Sequence, residues 1–165
     1  MEFFTKKWFL GKLPENESKR RLQEYKNYLK KIFPKLPITL RSFALKFELH
    51  DGLLEKCTIN QFEKTLQFDL ICGDLQKGYF RLKMVYLDVD LNKKLIIKLK
   101  ALIKNTSSEI LYDEIGLVLD KKFVHRILFW PDFIELDMNF SNLKVEANKL
   151  NKRLISFSGK RLILE

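Results

Sequence analysis

Thr65-Leu66-Gln67-Phe68-Asp69-Leu70 alternates without a break, with Leu66, Phe68 and Leu70 opposed to Gln67 and Asp69. Successive side chains of an extended chain point to opposite faces, so this period of two predicts a strand with one buried face. Upstream, after the turn-like His50-Asp51-Gly52, Leu53 to Ile59 alternates as well, with Leu53, Cys57 and Ile59 on one face. Downstream, Cys72-Gly73-Asp74 and Lys77-Gly78 punctuate the way into a strand over Tyr79 to Val89. Its apolar phase moves midway, from Phe80, Leu82 and Met84 to Val85, Leu87 and Val89, which predicts a β-bulge.

Strand character returns at Glu109 to Leu119 and at Phe123 to Trp130, the second apolar on both sides as a central strand would be. Pro131-Asp132 turns into Phe133 to Phe140, with Ile134, Leu136, Met138 and Phe140 facing in. Leu143 and Val145 mark a short strand, and Leu154 to Leu164 reads as a hairpin around Ser158-Gly159-Lys160. Leu91 to Ile103 fits two templates. Leu91, Leu95, Leu99 and Leu102 suit a helix, while Leu95, Ile97, Leu99 and Ala101 suit a strand. Helix is the reading adopted, with Asp90 as cap and Asn105-Thr106-Ser107-Ser108 as exit.

Before residue 50 the period is helical. From Glu15 to Phe33, Leu22, Tyr25, Leu29, Ile32 and Phe33 form a stripe between Lys and Arg positions, and Pro34 and Pro37 end it. Ile38 to Phe47 is a second helical segment, with Leu40, Phe43, Ala44 and Phe47 on one side. Short polar turns join antiparallel strands, because parallel neighbours need a long crossover. The expectation is one α+β domain over 1–165, helical and basic in 1–50 and mainly β in 51–165. It has a mostly antiparallel sheet of about six to eight strands, an N-terminal amphipathic helix and one inserted helix.

Composition fits a packed domain: 46% of the 165 residues are hydrophobic and 14 are Phe, which excludes a disordered chain. No uncharged run approaches the ~18 residues of a membrane span. The opening Met1 to Trp8 lacks the apolar run and cleavage site of a secretion signal, so a cytoplasmic setting is expected. Cys57 and Cys72 have no metal spacing; they could meet across a hairpin, and are read as buried free thiols. The net charge of +10 divides as +7 over residues 1–50, −1 over 51–143 and +4 over 144–165. Basic ends of this kind suit either an acidic partner or a lysine-rich solvated surface.

Chemistry-bearing residues are few. His50 beside Asp51 and His125 within a strand are the two histidines, and Asp113 and Glu114 could join His125 if their strands are neighbours. Such a group can do acid–base work near neutral pH, yet the residues serve equally as turn caps and strand-pair contacts. Neither a Walker loop, a dinucleotide fingerprint nor a Gly-x-Ser-x-Gly elbow can be written, so no cofactor and no metal is expected. Cys72 has no base nearby in sequence. Lys19, Arg20, Lys26 and Lys30 form a basic helix face that could meet phosphates, or simply water.

Several stretches taken in order carry a resemblance: Phe3 to Trp8, Leu49-His50-Asp51-Gly52, Cys72 to Phe80, Glu109 to Glu114 and His125 to Pro131. Together they resemble a group of uncharacterised bacterial proteins classed as a domain of unknown function of the DUF4085 type. The resemblance implies a bacterial cytoplasmic protein with a helix between Leu91 and Ile103, and it brings no reaction, cofactor or catalytic residue. The functional expectation is a non-enzymatic protein that binds a macromolecule, such as an immunity protein neutralising an acidic toxin. A hydrolase built on the His, Asp and Glu residues and a nucleic-acid binder using the basic ends are the alternatives.

Overall fold

Thr5 opens the first helix, α1 (Lys6–Phe9), its hydroxyl accepting the Trp8 N–H at 3.3 Å. A computed structural model describes residues 1–76, 78–105, 107–119 and 121–150, together with the backbone of 162–164. α2 (Glu15–Ile32) has Glu15 and Glu17 in its first turn and Lys30 and Lys31 in its last, the arrangement that complements the helix dipole. Pro34 stops it through a single 3-10 turn, Phe33–Lys35, and α3 (Ile38–Lys46) follows Pro37. The boundaries of α2 and α3 agree with the sequence reading to within a residue, whereas α1 was not read from the sequence.

The strands are β1 (Leu53–Asn60), β2 (Thr65–Asp74), β3 (Gly78–Leu87), β4 (Glu109–Leu119), β5 (Lys122–Trp130), β6 (Ile134–Phe140), β7 (Asn142–Leu150) and β8 (Leu162–Leu164). Between β3 and β4 lies α4 (Lys93–Leu102), so the helical reading of this segment holds. Seven strands pair antiparallel in the order β6-β5-β4-β1-β2-β3-β7, and β8 lies parallel beside β1. The hairpin expected over Leu154 to Leu164 lies outside the described residues apart from 162–164.

Ser141 is the single residue between β6 and β7, which sit at opposite ends of the order. The chain thus passes from one end of the sheet to the other, and the β4-β5-β6 wing faces the β1-β2-β3-β7 wing across one core. Phe68 and Phe129 meet there with ring centroids 6.3 Å apart, and Tyr86 meets Phe140 at 5.1 Å. Leu66, Phe68 and Leu70, the alternating set of β2, are all fully buried.

Three sequence expectations need correction. β3 has no bulge: its pairing with β2 and β7 runs without a register shift, and Leu82, Met84 and Tyr86 stay buried in one phase. Val89 turns inward only after the strand ends, because Asp88 adopts a left-handed φ of 54°. Asn92, not Asp90, caps α4, accepting the Leu95 N–H at 2.9 Å. The short strand at Leu143 and Val145 is a nine-residue strand paired with β3 along its whole length.

The β2–β3 turn relies on Gly73, with φ of +101° and its missing Cβ only 2.1 Å from the Gly78 carbonyl oxygen. Gly73→Ala is expected to cost about 2 kcal/mol from backbone strain and clash together. A urea midpoint unchanged by the substitution would contradict this.

Candidate functional site

β1 and β4 touch only at their starts, through Leu53 and Glu109. A bulge in β1 between Leu54 and Lys56 and another in β4 between Ile110 and Tyr112 fall at this point, and bulges bend strands. Beyond it, β4 amides have no strand neighbour on this side among the described residues and need other acceptors. Two tyrosines of α2 supply them. The Tyr25 hydroxyl accepts the Ile115 N–H at 2.9 Å and the Tyr28 hydroxyl accepts the Leu117 N–H at 3.0 Å. Burial and the nearby Asp113 charge raise the Tyr25 pKa, so its hydroxyl stays neutral.

Gly116 lets this helix approach. A Cβ there would lie 2.8 Å from Val124 Cγ1 and 3.3 Å from the Tyr28 hydroxyl. Tyr25 falls on the apolar stripe, as the sequence indicated, but the strand-edge role of Tyr25 and Tyr28 had no sequence signal beyond their spacing of three.

Between the helices and β4 the divergence leaves a cavity of about 320 Å³. Its lining includes Trp8, Tyr25, Phe43, Phe47, Tyr112 and Asp113, with Glu48 and His50 also contributing. Trp8 stands edge-on to Tyr112 at 4.8 Å, and Tyr112 packs against the His50 ring at 5.2 Å.

The five residues singled out as weak catalytic candidates do not meet at one point. β4 does pair with β5, and that brings Asp113 to His125, Nε2 to Oδ2 at 2.9 Å. The other ring nitrogen, Nδ1, lies 2.7 Å from the Tyr86 hydroxyl, and Phe43 stands edge-on to the ring at 5.6 Å. A carboxylate only accepts, so Nε2 carries a proton; in the neutral ring Nδ1 then accepts from Tyr86. His125 is fully buried, with both nitrogens engaged inside the core.

Glu114 points the opposite way, to the outer face, and is also fully buried. Its carboxylate accepts the backbone N–H groups of Glu2, Phe3 and Phe4 at 2.9, 2.7 and 2.6 Å, with Arg126 Nη1 at 3.8 Å. It therefore anchors the first residues to the sheet. His50 and Asp51 form a local pair, Nδ1 to Oδ1 at 3.0 Å, at a turn where Asp51 has φ of 60°. Among the described residues, no group of three or more His, Cys, Asp or Glu side chains could hold a metal. Cys57 and Cys72 are both buried and not joined in a disulfide, and burial pushes the Cys57 thiol up to about 12.

The four basic candidates of α2 separate into two pairs. Lys19 bonds Glu15 at 2.6 Å and Arg20 bonds Glu24 at 3.0 Å, so both are matched within the helix. Lys26 and Lys30 have no ion-pair partner among the described residues. They border a second concavity, about 440 Å³, whose other walls are Leu29, Phe33, Pro34, Ala44 and Leu45. Leu45 is 75% exposed there, and the sequence reading had not singled it out.

No described helix is long and apolar enough to cross a membrane. Comparison of the chain with known family models, curated proteins and solved structures finds no match. The resemblance to an uncharacterised bacterial group therefore stays an expectation.

Proposed function

We propose that this chain is a non-enzymatic binding protein whose groove between α2 and α3 receives an acidic amphipathic helix of a partner protein. The observation that carries the reading is the combination in one place of exposed Leu45, an apolar floor of Leu29, Phe33, Pro34 and Ala44, and two lysines with no ion-pair partner among the described residues. An amphipathic helix lays apolar residues spaced i, i+3/i+4, i+7 into such a groove. Acidic residues beside those anchors would meet Lys26 and Lys30, and the +7 charge of residues 1–50 would speed their approach. A toxin neutralised in the bacterial cytoplasm is one partner of this chemistry, and two reduced, buried thiols suit that compartment.

A designed helical peptide with leucines at those spacings and flanking glutamates serves as the probe. Titrated into the full chain, it is expected to shift the amide signals of Leu29, Phe33, Ala44 and Leu45. Lys26→Glu with Lys30→Glu should weaken it by about tenfold or more, since both rim charges reverse. Leu45→Asp should do the same through the apolar floor. Shifts that map elsewhere, or a single-stranded oligonucleotide that binds the same lysines more tightly, would reject this reading.

A further inference from the structure

We propose a second binding site, for a small free organic ammonium ion, in the cavity between α2, α3 and β4. The two concavities share Leu29 and Ala44 in their walls, but the argument for this one is separate. Its volume, about 320 Å³, is at the lower end of small-molecule sites. Rings of Trp8, Tyr25, Phe43, Phe47 and Tyr112 line it, and aromatic faces carry the negative side of a quadrupole that attracts cations.

Asp113 supplies the counter-charge. Its Oδ2 is fixed by His125, while Oδ1 has no hydrogen-bond partner among the described residues. His125 is in turn fixed by Tyr86, so a chain anchored in the core aims this carboxylate. His125 and Tyr86 are thus positioning residues for the site.

The wall chemistry selects among ligands. An anion would meet two carboxylates in the wall, those of Asp113 and Glu48. A strongly hydrated metal ion would exchange its water for rings and at most two carboxylates, too few oxygens to replace its hydration shell. An alkylated ammonium is weakly hydrated, so it can give up water to an aromatic wall and still use the carboxylate. A neutral apolar molecule would gain from the rings alone.

Choline and its neutral carbon isostere, dimethylbutanol, separate these cases. The reporter is the Trp8 indole N–H, which donates to the Ser18 carbonyl at 3.1 Å. In proton–nitrogen spectra of the full chain, choline should shift this signal and the Asp113 amide saturably. The isostere should bind about tenfold more weakly. Asp113→Asn should bring choline down to the level of the isostere. Phe47→Leu should weaken choline more than the isostere, and it decides the matter if Asp113→Asn does not fold.

Equal affinity for choline and the isostere would overturn the proposal, leaving an apolar cavity only. So would the absence of a saturable shift up to about 50 mM, weaker than any useful site of this size. Competition by phosphatidylcholine vesicles would move the ligand to a lipid surface and overturn the assignment to a free ion.

Discussion

Glu114→Ala is expected to lower the unfolding free energy by about 3–5 kcal/mol. The reason is an accounting of donors. Three successive backbone N–H groups, of Glu2, Phe3 and Phe4, converge on one carboxylate, and the Phe4 contact is fully buried. An unmade buried hydrogen bond costs about 1–3 kcal/mol, and more where the lost acceptor was charged. The first residues would respond by lifting away, exposing those amides to water at the expense of packing. Phe4 packs on Tyr25 at 5.1 Å and on Trp8 at 5.1 Å, so detachment would disturb an aromatic cluster.

Glu114→Gln separates the two contributions. Its carbonyl oxygen can keep the Phe3 and Phe4 contacts, but its amide nitrogen then faces the Glu2 N–H and Arg126. About half of the alanine effect is expected from this one lost acceptor. Urea midpoints with unchanged m-values measure both steps, and hydrogen exchange at residues 2–4 should rise first in Glu114→Ala. A loss below about 0.5 kcal/mol for Glu114→Ala would mean that water, not the carboxylate, serves these amides in solution.

The fold was legible where one face of a strand is buried and the other is wet. Thr65 to Leu70 shows this, because a period of two leaves no other placement for Leu66, Phe68 and Leu70. Tyr79 to Val89 misled for a related reason. Val85 and Leu87 are half-buried on the outer face of β3, so both phases of the strand read as apolar and their succession mimicked a bulge. The bulges at Leu54/Lys56 and Ile110/Tyr112, two of the three register shifts among the described strands, leave no compositional trace. They depend on how two strands distant in sequence diverge.

The candidate residues were partly legible. The two strands carrying Asp113 and His125 were legible, but their adjacency was only a condition in the sequence, and the pairing of β4 with β5 meets it for Asp113. The opposite fates of Asp113 and Glu114 follow from adjacency on a strand, where neighbours face opposite sides. Sequence could not say what lay on each side. Nothing local marks residues 2–4 as the partners of a carboxylate more than a hundred positions away. The groove was invisible because its walls come from two helices, and exposure of Leu45 depends on their crossing.

His125→Leu is expected to cost about 3 kcal/mol, because it removes the middle of a hydrogen-bonded chain and leaves both ends behind. The Tyr86 hydroxyl would be stranded at zero exposure, with only the Met84 sulfur 3.8 Å away as a weak alternative. Asp113 is partly exposed and can turn to water, so most of the cost falls on Tyr86. Tyr86→Phe leaves His125 Nδ1 without its donor and should cost about 1–2 kcal/mol. Alkaline pH distinguishes the two variants. Burial, with the Asp113 charge adding to it, raises the Tyr86 pKa well above its ordinary value. A group held protonated in this way contributes fully below its unfolded pKa, and the contribution is lost as pH climbs from there toward the folded value. Stability of the native sequence should therefore fall above about pH 10 by about 1.4 kcal/mol per pH unit for each such tyrosine. The buried Cys57 thiol, pushed up to about 12, acts in the same sense from a lower starting pH. Tyr86→Phe should flatten the slope by one tyrosine, whereas His125→Leu, which keeps the buried phenol, should retain it. Equal alkaline slopes in native protein and Tyr86→Phe would show that Tyr86 ionises as easily folded as unfolded, and the buried chain to Asp113 would then lose its anchor.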